Sequence, residues 1–166
     1  MISAEAMKAR MGVQDGLLVI PYGVYIVTTG GESKQPGAFT ACWLMQVSFE
    51  PLMVALAVDK TSHSQTLLTE NGLFAINILG KANNHLAARM GTPHRINPHK
   101  FNGIAWHAGM TGVPLLDVAQ AHLECQVRDR LETGGDHLIF IGEVLAGDVQ
   151  RRETVLTLEA SGLRYR

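Results

Sequence analysis

The stretch His122-Leu123-Glu124-Cys125-Gln126-Val127-Arg128 decides the fold class. Leu123, Cys125 and Val127 alternate with Glu124, Gln126 and Arg128, so an extended chain carries the apolar set on one face and the polar set on the other. Downstream, Leu138–Leu145 is apolar on both faces apart from Gly142 and Glu143, and Thr154–Leu158 reads as a last strand. Upstream, Tyr22–Thr29 is rich in Val, Ile, Thr and Tyr, and Pro21 suits a strand start. Gly30-Gly31 to Pro36-Gly37 reads as a polar hairpin loop, and Ala38–Phe49 as a second long strand. Pro51 breaks the chain before the apolar strand Met53–Val58, and Phe74–Leu79 is another.

Helical signals are fewer. Ser3 can cap a short helix over Ala4–Met11 that Gly12 ends. Ser62 is an N-cap for a helix to about Glu70, with Asn71-Gly72 as its stop, and Ala82–Met90 is a further short helix before Gly91. Residues 91–117 read as loop. With about seven strands, two or three short helices and no β-α-β alternation, the pattern predicts a mainly β protein, an antiparallel barrel with helices at its ends.

The 166 residues, 46% hydrophobic and 17% charged, fit one compact soluble domain spanning residues 1–166. Such a chain buries on the order of 70% of the surface that its unfolded form exposes. Disorder and low-complexity classes are excluded by the apolar content and the lack of a short period. Cys42 and Cys125 form neither a disulfide framework nor a C-x-x-C pair. No apolar run approaches the ~20 residues of a membrane span, and Met1–Arg10 lacks a signal-peptide block, so the expected address is cytoplasmic. The formal net charge of −1 argues against nucleic acid or a membrane surface as partner. It conceals an uneven distribution. The 46 residues from Asn71 to Leu116 contain no Asp or Glu but hold Lys81, Arg89, Arg95 and Lys100. Such a segment raises the local potential for one anionic ligand, or is simply a solvated basic surface.

Asp59-Lys60-Thr61-Ser62-His63-Ser64 lies between a strand and a helix. A helix N-terminus with a lysine and three hydroxyls suits a phosphate, and an ordinary capped helix accounts for the same residues. In Thr40-Ala41-Cys42-Trp43, followed by Gln46-Val47-Ser48, a strand edge offers main-chain groups and a hydroxyl to a planar polar ligand. Cys42, inside an apolar strand, reads as a core residue before a nucleophile. No metal site is expected: His94 and His99 lack a nearby carboxylate, and no H-E-x-x-H occurs. Nor are there G-x-S-x-G, G-x-G-x-x-G or Walker-type motifs.

Read in order, Y-G-V-Y-I-V-T-T (22–29), A-F-T-A-C-W-L-M-Q-V-S-F-E-P-L (38–52), A-V-D-K-T-S-H-S (57–64), H-K-F-N-G-I (99–104), G-V-P-L-L (112–116) and H-L-E-C-Q-V (122–127) carry a resemblance. Gly135-Asp136-His137 and I-G-E-V (141–144) complete it. The chain resembles, over about residues 15–150, the flavin reductase-like, FMN-binding split-barrel family. It is also similar to flavoredoxin-type carriers and to the flavin reductase-like module of diflavin proteins. The resemblance implies an antiparallel Greek-key split barrel of six to seven strands and a homodimer with two flavin sites near its interface. It places Thr40, Ala41, Cys42, Trp43 and Ser48 along the isoalloxazine and ribityl chain. Asp59, Lys60, Thr61, Ser62, His63 and Ser64 fall at the phosphate. Lys100 and Phe101 fall on the cofactor side, and His137 near the flavin and the nicotinamide as the catalytic position. FMN is the implied cofactor, with FAD the other candidate, and NADH or NADPH the donor. The acceptors implied are free flavin, iron or a redox partner protein. The alternative is a non-enzymatic FMN carrier without a nicotinamide site, and a third reading is an unrelated barrel binding another phosphorylated ligand. Two departures stand out: Ser48-Phe49-Glu50-Pro51-Leu52 lacks a second proline, and Cys42-Trp43 replaces a small serine pair, narrowing access to the ring.

Overall fold

The computed structural model describes residues 4–31 and 34–164. Helix α1 (Ala4–Leu18) leads into β1 (Tyr25–Gly31), β2 (Lys34–Ala41), β3 (Leu44–Phe49) and β4 (Leu52–Asp59). After α2 (His63–Asn71) come β5 (Leu73–Ile78), a single 3-10 turn over Lys81–Asn83 and α3 (Asn84–Gly91). Then follow β6 (Trp106–Ala108), β7 (Pro114–Leu116), β8 (Ala121–Glu132), β9 (His137–Val149) and α4 (Leu158–Ser161). Seven strands form one antiparallel sheet in the order β2-β1-β5-β8-β9-β4-β3, and β6 and β7 pair separately.

The expected single strand Ala38–Phe49 is broken at Cys42-Trp43, and its halves become the two edges of the sheet. In a flat sheet those edges would stand about 29 Å apart, whereas the link from Ala41 to Leu44 reaches at most about 11 Å. The sheet therefore curls so that the end of β2 approaches the start of β3, while Ala57 N–H of β4 donates to the Trp43 carbonyl at 3.0 Å, continuing the β3–β4 pairing into the link. Among the described residues no ladder joins β2 to β3, a geometry compatible with a split barrel. The curl encloses Val27, Leu56, Leu68, Phe74, Ile76 and Phe140. On the opposite face Ile26, Leu79, Met90, Leu116 and Leu156 pack beneath α3 and the C-terminal segment.

Several expectations shift in detail. The cap at Ser3 lies outside the described residues, and α1 runs through Gly12 to Leu18. An exposed helical glycine costs only about 1 kcal/mol, and the residues after it are helix-compatible. The glycine-rich loop is shorter than expected, since Gly31 already pairs with Lys34; Pro36 is tolerated because β2 is an edge. Residues 91–117 are not all loop, as they contain the β6–β7 hairpin. Thr154–Leu158 forms only isolated bridges, Gly80 with Val155 and Gly23 with Thr157, because the Thr157 hydroxyl then caps α4 by accepting from Ala160 N–H at 3.2 Å.

The polar face of β8 is not solvated at its start, where His122 and Glu124 are buried beneath the β6–β7 hairpin. Glu124 accepts from the Met110 and Thr111 N–H groups at 3.0 and 2.7 Å and from the Thr111 hydroxyl at 2.6 Å. Asn77 accepts from Leu116 N–H at 2.7 Å, and its amide donates to the Ile26 carbonyl and the Thr28 hydroxyl. His122 Nε2 donates to the Leu116 carbonyl at 2.9 Å, and Thr28 donates to the Pro114 carbonyl at 2.5 Å. Buried polar side chains of β1, β5 and β8 thus staple the small hairpin to the sheet.

Candidate functional site

Along the edge strand β2 lies a cleft of about 1080 Å³. One wall is β2 from Pro36 to Ala41, continued by Cys42. A second is the end of β4 (Ala57–Asp59) with Thr61–Ser64 entering α2, and a third is the acid-free segment from Gly91 to Phe101. Asp136 and His137 at the start of β9, and Leu158, Leu163 and Arg164 after β9, complete it.

The entry to α2 follows its local chemistry. Ser62 is extended (φ −78°, ψ 145°), and its hydroxyl accepts from Gln65 N–H at 3.2 Å while donating to the Asp59 carbonyl at 2.8 Å. Asp59 Oδ1 accepts from the Thr61 hydroxyl and the Thr61 N–H, both at 2.7 Å, and these bonds hold its carboxyl below the usual carboxylate range. Asp59, Thr61 and Ser62 therefore satisfy one another. The groups left for a ligand are the first-turn N–H groups of His63 and Ser64, which have no intrahelical acceptor. Gly72 closes the helix in the left-handed conformation (φ 67°), which a residue with a Cβ rarely adopts.

Eleven of the residues expected from the sequence line this cleft: Thr40, Ala41, Cys42, Asp59, Thr61, Ser62, His63, Ser64, Lys100, Phe101 and His137. Their roles differ in detail. Thr40 donates its hydroxyl hydrogen to the Ala87 carbonyl at 2.6 Å, tying β2 to α3. Lys100 is 8% exposed and donates to the Ala38 and Met90 carbonyls at 3.1 and 2.7 Å, and its burial lowers its pKa. Burial pushes the Cys42 thiol up to about 11, which suits a wall residue and not a nucleophile.

Three expected residues lie off the cleft wall. Lys60 sits between Asp59 and Thr61 and turns the other way, its ammonium 2.6 Å from Glu132. Ser48 pairs with Met53, six residues along β4 from Asp59 and so about 20 Å away. Trp43, expected to narrow access to the ring, instead packs beside His137 with ring centroids 4.7 Å apart and beside Tyr22 at 6.5 Å. Conversely, His94, Arg95, Asp136 and Arg164 line the cleft without having been singled out for it. The acid-free stretch was the signal for Arg95 and His94; nothing local marked Arg164. His94 stacks on His63 at 4.7 Å, joining the 91–101 segment to the start of α2. The fixed charges on the wall are the cations Arg95, Lys100 and Arg164 against the carboxylates Asp59 and Asp136. Among the described residues no group of three or more His, Cys, Asp or Glu could hold a metal.

The flavin reductase like domain matches residues 17–165, and the chain belongs to that family. It is 39% identical over 128 residues to the NADH-dependent FAD reductase of Streptomyces globisporus, covering 75% of this chain and 68% of that one. It is 31% identical over 163 residues to the FMN reductase (NADH) RutF of Stutzerimonas stutzeri, covering 97% and 90%. Among solved structures, a nitrilotriacetate monooxygenase component B homologue from Mycobacterium thermoresistibile superposes with a TM-score of 0.82 at 32% identity, over 93% of this chain and 84% of that one. The Streptomyces globisporus NADH:FAD oxidoreductase SgcE6, solved with NAD and FAD fragments, superposes with a TM-score of 0.81 at 30% identity, over 96% and 92%.

Proposed function

We propose that this chain is an NADH-dependent flavin reductase, acting as one unit over residues 1–166 and binding FMN or FAD in the cleft. The observation that carries the reading is the cleft itself. Its volume of about 1080 Å³ exceeds what a single drug-sized ring system fills, so it accommodates a flavin with a nicotinamide beside it. Its walls fit a flavin: apolar surface from Ala38, Ala57 and Leu67 meets a helix N-terminus and the cations Arg95, Lys100 and Arg164. The first turn of α2 would take a phosphate, Thr40–Cys42 would flank the ring system, and His137 is the proposed catalytic side chain. When bound, the flavin supplies two-electron chemistry, accepting hydride from NADH and passing electrons to an acceptor. The protein orients both ligands, excludes water with its apolar walls and balances anionic charge.

Relatives named as reductase subunits or components of two-component systems, such as the HsaB subunit of Rhodococcus jostii, support an oxygenase-type partner protein as acceptor. A homodimer is supported by an apolar strip on β3 and β4, where Met45, Val47, Phe49 and Leu52 are all exposed. A reducing, cytoplasmic setting fits two buried, unbridged cysteines. No described helix is long and apolar enough to cross a membrane. The deciding measurement is NADH oxidation at 340 nm with FMN or FAD added to the purified protein. Turnover that saturates in flavin supports the reading. A protein that binds flavin yet ignores NADH and NADPH, taking electrons only from a redox partner, is the carrier instead.

A further inference from the structure

His137 is surrounded by an arrangement that neither the cleft nor the fold requires. It lies directly opposite Asp59 in the β4–β9 ladder, at the cleft end of both strands. Its Nδ1 is 2.7 Å from Asp136 Oδ1. The Asp136 carboxyl is held below the usual carboxylate range chiefly by its hydrogen bond with His137, so it is ionised and only accepts. The hydrogen of that bond therefore belongs to Nδ1. Trp43 packs against the same ring, centroids 4.7 Å apart and planes inclined by 52°. Both neighbours are pinned through their backbones. The Asp136 carbonyl accepts from Lys60 N–H at 3.0 Å, the Trp43 carbonyl accepts from Ala57 N–H at 3.0 Å, and the His137 carbonyl accepts from the Thr133 hydroxyl at 2.7 Å.

We propose that Asp136 and Trp43 are positioning residues for His137, Asp136 keeping the ring hydrogen on Nδ1 and Trp43 fixing the plane of the ring. The catalytic half of this inference rests on the flavin reductase reading; the tautomer does not. An imidazole in water prefers its hydrogen on Nε2, so holding it on Nδ1 is work done by the protein. With the hydrogen on Nδ1 committed to Asp136, Nε2 carries the lone pair of the neutral ring. Trp43 adds the second constraint, since an indole packed 4.7 Å from the imidazole restricts its rotation about the bond to Asp136. Chemistry at the cleft that depends on His137 then requires both neighbours, although neither has to touch a ligand.

The test combines imidazole ¹⁵N spectra with steady-state kinetics on the full chain, His137→Ala assigning the signals. In the native protein the neutral His137 ring is expected to carry its hydrogen on Nδ1. Asp136→Ala returns it to Nε2, while Asp136→Asn, which keeps an acceptor oxygen, retains the native form. Kinetically, Asp136→Ala and Trp43→Ala each lower kcat about tenfold. The KM values for NADH and flavin stay within twofold, and Asp136→Asn and Trp43→Phe recover most of the loss. A native ring with its hydrogen on Nε2 overturns the Asp136 assignment. So does an Asp136→Ala protein with native tautomer and native kcat. A Trp43→Ala protein with unchanged kcat and a sharp, native ring signal overturns the part given to Trp43. If the native protein oxidises no NADH with either flavin, the reductase reading and the kinetic half fall together, while the spectra still decide who holds the ring.

Discussion

Behind β1 and β5, Thr28, Asn77, His122 and Glu124 direct their polar atoms onto neighbouring backbone and carry the β6–β7 hairpin. In the cleft along β2, Thr61–Ser64, His94, Arg95 and Arg164 surround open space. The side-chain types in the two places are similar. What separates them is whether the chain itself supplies the partner: behind β5 it does, and polarity fixes architecture; at the cleft it does so only in part, and polarity remains available to a ligand.

The contrast breaks most visibly at Asn77. Asn77→Leu removes three hydrogen bonds and takes the side-chain acceptor from the buried Leu116 N–H, an expected loss on the order of 2–4 kcal/mol in urea unfolding. Flavin affinity, measured where the variant is still folded, should stay within twofold; a parallel loss of affinity would mean that the two regions are coupled. Arg95→Ala should do the reverse, weakening flavin or NADH binding about three- to tenfold by titration while stability moves less than about 0.5 kcal/mol. Lys60→Ala sharpens the same point. With its ammonium on Glu132, it should retain flavin within twofold of the Lys81→Ala protein. Ser62→Ala straddles both regions and should cost about 1 kcal/mol of stability as a lost cap while also loosening the phosphate end.

The last expected effect is gated by pH. Partial burial pushes the Asp148 carboxyl up, but hydrogen bonds from His122 and Gln150 and the nearby His107 outweigh it, so the carboxyl titrates below its ordinary range. A depressed carboxylate contributes stability that is fully present above its unfolded pKa of about 4 and is lost as pH falls through the folded value. Thermal unfolding between about pH 5 and pH 2 should therefore show a smaller acid-induced loss in Asp148→Asn than in the native chain.

Legibility in the sequence followed the range of the forces at work. The α2 segment was readable almost to the residue, because Ser62 and Gly72 act on backbone groups within one turn. The break at Cys42-Trp43 was not. Nothing from Ala38 to Phe49 interrupts strand propensity, and the break is imposed by the seam where two sheet edges meet. The positions of two expected site residues off the cleft wall follow from that one fact: Ser48 lies out along β3, and Trp43 packs on His137. Asp59 and Thr61–Ser64 were correctly placed at a strand-to-helix junction, whereas the alternation that turns Lys60 away shows only once the strand end is known. Alternation along β8 does not tell that His122 and Glu124 are buried, because the hairpin that covers them is built from short strands within a segment that reads as loop. Arg164 reaches the cleft through packing of the C-terminal segment, a long-range contact with no local signature.

Leu116 is fully buried and held at both of its peptide groups, its N–H by Asn77 and its carbonyl by His122. A frayed hairpin does not free that amide, since its acceptor is a side chain rooted in the middle of β5. Its hydrogen can be traded for deuterium only when the β1–β5–β8 core itself comes apart. The exchange rate of this one amide is therefore a clock for whole-molecule opening, and it can be read without adding any denaturant.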